Sequence, residues 1–195
     1  DLADQMAELA GGACHGTVNV TKQVVPVGGG DPVERSGWDF DVKTVSGAAT
    51  VRLDQEGQSF AATASGATGS TGVGGFRSNF DGTNSAQREL TITESLTGEQ
   101  AAYDIIPWAT GAHAAGDFAR CATTDDPTTA LDVTNVVNGT TVGFTVDPVP
   151  NKTVSCVVRN QAKDVSAQLR VDKVWKIDTD GDGNYEEVTS KNENP

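Results

Sequence analysis

"TVNVTKQV", residues 17–24, sets Val18, Val20, Lys22 and Val24 on one parity and Thr17, Asn19, Thr21 and Gln23 on the other. Alternate side chains of a strand point to opposite faces, so this stretch predicts a half-buried β-strand. The same period recurs down the chain. "WDFDVK" (38–43) turns Trp38, Phe40 and Val42 inward, "ATVRLD" (49–54) pairs Val51 with Leu53, and "TVGFTV" (141–146) aligns Val142, Phe144 and Val146. "LTITES" (90–95), "YDII" (103–106), "LDVTNVV" (131–137) and "TVSCVVRN" (153–160) complete the set. Many short alternating strands between Gly, Pro and Asp turns predict an all-β, antiparallel sandwich.

Outside this core the pattern changes. Leu2, Met6 and Leu9 fall at helical spacing before Gly11–Gly12, so residues 1–16 read as a short N-terminal helix or the tail of a preceding domain. Residues 62–75, "ATASGATGSTGVGG", read as a mobile loop within a longer 61–80 insertion, and 107–121 reads as a second long loop carrying Trp108 and Phe118. The sandwich is thus expected over 17–162. From 163 a linker leads to "LRVDKVWKI" (169–177), where Leu169, Val171, Lys173 and Trp175 share a parity that echoes the first strand. Residues 163–195 read as a linker and the first strands of a second module.

Composition narrows the functions. Fourteen basic against 27 acidic side chains leave a net charge of −13, which argues against nucleic-acid binding. No run of about 18 apolar residues exists, so no membrane insertion by a helix is expected. Signal-peptide and lipidation patterns are absent from the sequence, so a secreted protein would carry it as a mature or excised piece. His15 and His113, the only histidines, stand beside no serine or cysteine motif, and an ordinary enzyme is not expected.

Three polar residues stand on three apolar faces. Lys22 is in phase with Val18 and Val20, Glu94 with Leu90 and Ile92, and Asn160 with Val154, Cys156 and Val158. Burying one charge alone costs several kcal/mol, whereas a lysine and a glutamate buried together compensate each other. Burial also favours the neutral amine, a nucleophile. A carboxyl group beside an amine and a carboxamide can relay the amine's proton to leaving ammonia. The predicted product is an isopeptide bond between Lys22 and Asn160, assisted by Glu94. The bland alternative is a snorkelling lysine, a strand-ending glutamate and a turn-capping asparagine.

"VNVTKQVVP…WDF", "ELTITES" and "KTVSCVVRN", in that order over about residues 17–161, resemble the Cna B-type, prealbumin-like domains of Gram-positive, especially actinobacterial, surface proteins and pilins. The resemblance implies an immunoglobulin-like sandwich and a stalk or shaft module of an adhesin or pilus-like protein. It also implies the isopeptide lysine at Lys22, the assisting glutamate at Glu94 and the asparagine at Asn160. The chain departs from that pattern in the 61–80 and 107–121 insertions and in lacking a Pro-Gly-Tyr turn after the glutamate. It has neither a sortase signal nor a pilin lysine motif, so the stalk reading is stronger than the polymerising-pilin reading.

The implied setting is secreted, at a bacterial cell surface, with cell-wall attachment through regions outside this chain. Its expected partners are neighbouring modules of the same protein. Two rivals remain: an adhesin head gripping a host protein or glycan with loops 61–80 and 107–121, and a calcium-dependent binding module. For an exported protein a Cys121–Cys156 disulfide would fasten the 107–121 loop to the core, the alternative being two buried thiols in the cytosol. Cys14 is left over. No cofactor is required, but "DTDGDGNYEE" (178–187) offers Asp178, Asp180, Asp182 and Asn184 to calcium in a D-x-D-x-D-G run. Position 12 of an EF-hand wants glutamate and is Thr189 here; the competing reading is a plain hairpin turn.

Overall fold

A computed structural model describes residues 14–45, 49–80, 88–109, 115–164, 174, 176–178 and 180–187. The chain divides into two compact units, residues 1–164 and 165–195. In the first, two sheets form a β-sandwich. The larger sheet runs in the order β10 (Asp126–Ala130), β9 (Ala119–Thr123), β13 (Thr153–Ala162), β1 (Cys14–Val25), β6 (Val73–Phe80), β4 (Thr50–Leu53). Two short strands join it: β2 (Val33–Glu34) pairs with β1, and β8 (Tyr103–Ile105) pairs with β13. The smaller sheet runs β11 (Val133–Asn138), β12 (Thr141–Val146), β7 (Leu90–Ser95), β3 (Asp39–Thr44), β5 (Thr63–Ala67). The second unit contains a hairpin of β14 (Lys176–Ile177) and β15 (Glu186–Glu187).

The period-two pattern becomes burial directly. Along β13, Val154, Cys156, Val158 and Asn160 are buried while their neighbours are half-exposed. The inward faces of both sheets meet in one core that includes Val18, Val20, Phe40, Phe76, Ile92 and Phe144. Each such side chain contributes roughly 2 kcal/mol by leaving water.

The sandwich is antiparallel except at its centre. There β1 and β13, the first and last of the described strands of the unit, pair in parallel, with Lys22 opposite Val158 and Val24 opposite Asn160. Antiparallel neighbours can be joined by tight turns, but a parallel pair needs a long crossover, and here the rest of the module supplies it.

Several expectations need correction. The stretch expected as a mobile loop holds strands β5 and β6, which pair with β3 and β1. Gly and Ala hide the alternation there, yet they are the residues that fit. A Cβ on Gly66 would stand 2.4 Å from Leu53 Cδ2. The long loop ends at Phe118, because Ala119–Cys121 already belong to β9. The first strand begins at Cys14, before the expected boundary, and takes in His15. β13 continues to Ala162, so Asn160 is interior to its strand. Among the described residues the only helical element is a 3-10 turn, Gly98–Ala102. The N-terminal helix expected within 1–16 falls on residues 1–13, outside the described residues, as do Leu169, Val171, Lys173, Trp175 and His113.

Candidate functional site

Lys22 projects from β1 into the sandwich and is fully buried, among the bulkiest side chains of the core. Glu94 projects from β7 in the facing sheet and is 1% exposed. The lysine Nζ donates to Glu94 Oε2 at 2.5 Å, so the pair bridges the two sheets. Asn160, also fully buried, lies on the strand parallel to β1 and on the same inward face. It is two positions beyond Val158, the register partner of Lys22, and so a diagonal neighbour of the lysine.

Aromatic rings close the site. The Trp38 ring centroid lies 4.3 Å from Lys22 Nζ, and that of Phe40 5.8 Å. Tyr103 packs edge-on against Trp38 at 5.1 Å. The inward parity of Trp38 and Phe40 was legible in "WDFDVK", but their place over the amine was not.

Burial pushes the Lys22 ammonium down from 10.5 to about 8; the charge of Glu94 and its hydrogen bond oppose that shift without cancelling it. Removing water penalises the charged form, and a single carboxylate does not fully restore it. Four buried atoms around the pair lack a hydrogen-bond partner among the described residues: Glu94 Oε1, Asn160 Oδ1, Asn160 Nδ2 and Trp38 Nε1. Unpaired buried polar atoms cost about 1–3 kcal/mol each, and clusters of them are uncommon. The buried interior therefore holds an amine with a lowered pKa paired to Glu94 and, diagonally across the β1–β13 register, a carboxamide with no partner among the described residues.

Cys121 and Cys156 are direct register partners on β9 and β13 and form a disulfide, with Cα atoms 4.1 Å apart. It staples two strands of the larger sheet. Cys14 opens β1, opposite Phe80.

In the second unit, Asp178, Asp180 and Asp182 each place a carboxylate oxygen within 4.8 Å of the others. Gly181 N–H and Gly183 N–H donate to Asp178, and Asn184 donates to Asp182 through its backbone and side-chain nitrogens. These donors, chiefly the Gly183 amide for Asp178 and the Asn184 amide for Asp182, hold both carboxyls below their ordinary range. Three converging carboxylates suit a hard cation, while the same bonds also close a plain Asx-rich turn. Thr189 lies outside the described residues.

Comparison with protein-family models and with curated proteins finds no match to the chain.

Proposed function

We propose that residues 14–164 form a structural stalk module of a bacterial cell-surface protein, of the Cna B type, locked by a self-formed isopeptide bond between Lys22 and Asn160. The observation that carries this reading is the unpartnered set. Apart from Trp38 Nε1, each buried orphan beside the Lys22–Glu94 pair is an atom that the condensation uses. The neutral Lys22 amine attacks Asn160 Cγ. Glu94 takes a proton from the attacking nitrogen and delivers it to Asn160 Nδ2, which leaves as ammonia. One C–N bond forms and one breaks, and no oxidant or cofactor enters. Fixed geometry supplies the effective concentration and burial excludes water, which would otherwise compete.

The product suits a stalk. Tension entering at β1 would cross to β13 through the bond and leave residues 23–159 unloaded. Closing so long a loop in the unfolded chain would contribute about 5 kcal/mol by analogy with a disulfide. The Cys121–Cys156 bond agrees with an oxidising, extracellular setting. Among the described residues no helix is long and apolar enough to cross a membrane.

The test is the intact mass of the reduced protein. The expected wild-type mass falls short of the sequence mass by one ammonia, with the loss mapped to a Lys22–Asn160 cross-linked peptide. Glu94→Ala restores the full mass. A wild-type chain of full mass overturns the reading.

Calcium binding at the 178–184 turn is a second, separable reading, supported by the three converging carboxylates. Calcium would be held by Asp178, Asp180 and Asp182 and would stiffen the second unit. Limited proteolysis of residues 165–195 should then slow with calcium and recover with chelator, and an unchanged rate removes this reading.

A further inference from the structure

On the outer face of the larger sheet, away from the buried site, lies a groove of about 420 Å³ that crosses β1, β13 and β9. Its polar wall is Arg120 and Arg159; its apolar wall is Trp108, Val157, Ala122 and Pro127. Register explains the pairing of the arginines. Arg120 sits opposite Val157, and Arg159 is two residues farther along β13 on the same face. Trp108 reaches over from the loop before β9, and its indole N–H donates to Val157 O at 3.3 Å. The Arg159 guanidinium lies 3.7 Å from the Trp108 ring centroid and that of Arg120 5.7 Å.

Among the described residues no carboxylate lies within ion-pair distance of Arg120 or Arg159. Arg159 uses its Nε on Gln23 Oε1 at 3.0 Å, which orients the guanidinium and leaves its terminal nitrogens without a hydrogen-bond partner among the described residues. Arg120 makes no hydrogen bond within the described chain. In a chain with 27 acidic side chains against 14 basic ones, two adjacent arginines left without a carboxylate run against composition. Partial burial, and after it the charge of Arg120, already hold Arg159 below its ordinary pKa. Like charges side by side cost energy that a bound anion would remove.

We propose that this groove is a carboxylate-binding site, with Arg120 and Arg159 receiving the carboxylate and Trp108 receiving the carbon frame that carries it. A planar carboxylate matches the guanidinium edge in a bidentate way. The apolar wall beside the cations favours an acid on a carbon skeleton over a bare inorganic anion. An acidic peptide side chain and an acidic sugar share this chemistry. The inference stands independently of the isopeptide reading, because the two sites occupy opposite faces of the sheet.

The experiment is a nuclear magnetic resonance titration of the ¹⁵N-labelled full chain, following the Trp108 indole N–H, assigned with Trp108→Phe. The probes are a tetraglutamate peptide, N-acetylneuraminic acid, a tetraglutamine peptide and inorganic phosphate. A saturable shift with tetraglutamate or with the sugar acid is expected, and which of them acts identifies the source. Tetraglutamine and phosphate should leave the signal in place. Arg120→Gln removes one charge-assisted contact and should weaken binding about tenfold, with the unliganded spectrum otherwise retained. The proposal is overturned if neither acid moves the signal, if phosphate moves it equally well, or if Arg120→Gln binds as tightly as the parent.

Discussion

The chemistry of Lys22 depends on a proton that burial makes easy to lose. Its pKa is about 8 in the fold against 10.5 ordinarily. In Asn160→Ala no cross-link can form and the lysine remains a titrating amine. Between those two values the unfolded chain binds the proton and the folded chain does not, so stability rises with pH across that window. Below about pH 8 both states are protonated and the burial penalty is fully present, about 3 kcal/mol. In a cross-linked chain Lys22 is an amide and this dependence vanishes. Denaturant midpoints of wild type and Asn160→Ala, compared from about pH 7 to about pH 10, should therefore converge as pH rises. A constant gap would mean that the amine is not buried as a titrating group.

At the scale of strands, the site depends on how closely β12 approaches β7, which carries Glu94. Gly143 in β12 faces Thr93, and a Cβ there would lie 2.0 Å from Ile92 O and 2.7 Å from Thr93 Cα. Both are backbone atoms and cannot swing aside. Gly143→Ala should destabilise the module by about 2–3 kcal/mol. It should also slow bond formation, read as a mixture of full and ammonia-deficient masses after expression. The disulfide is the other strand-level device. Its 35-residue separation predicts about 4 kcal/mol of unfolded-state constraint, so Cys121→Ala with Cys156→Ala should lower the melting temperature. These strands also mark how far the sequence could be read. Side-chain alternation announced β1, β3, β7, β12 and β13, and with them the inward faces of Lys22, Glu94 and Asn160. It could not announce β5 and β6, where Gly66, Gly74 and Gly75 supply backbone pairing without an apolar signature. Nor could it reveal Arg120 beside Arg159, because that adjacency exists only in the register of β9 on β13. The parallel pairing of β1 with β13 was equally hidden, since no local pattern records which strands meet across a whole module.

That parallel pairing decides what the module does under load. The two strands lie side by side, with β1 entering at one end of the sheet and β13 leaving at the other, so a pull on the ends shears their ladder. The proposed Lys22–Asn160 bond would short-circuit this path. The disulfide, at Cys121 and Cys156, lies wholly inside the bypassed stretch. The proposed bond and the disulfide would therefore be nested, and their mechanical signatures would differ. In a single-molecule pull the wild-type module should yield no long extension, and reductant should change nothing, because residues 23–159 never carry the force. Glu94→Gln lacks the cross-link and should unfold in one step to the limit set by the disulfide. Adding reductant should then release the residues between the cysteines, a further gain of about 120 Å at roughly 3.5 Å per residue. A wild-type trace with that reductant-dependent gain would show that force runs through the core, and the stalk reading would fail with it.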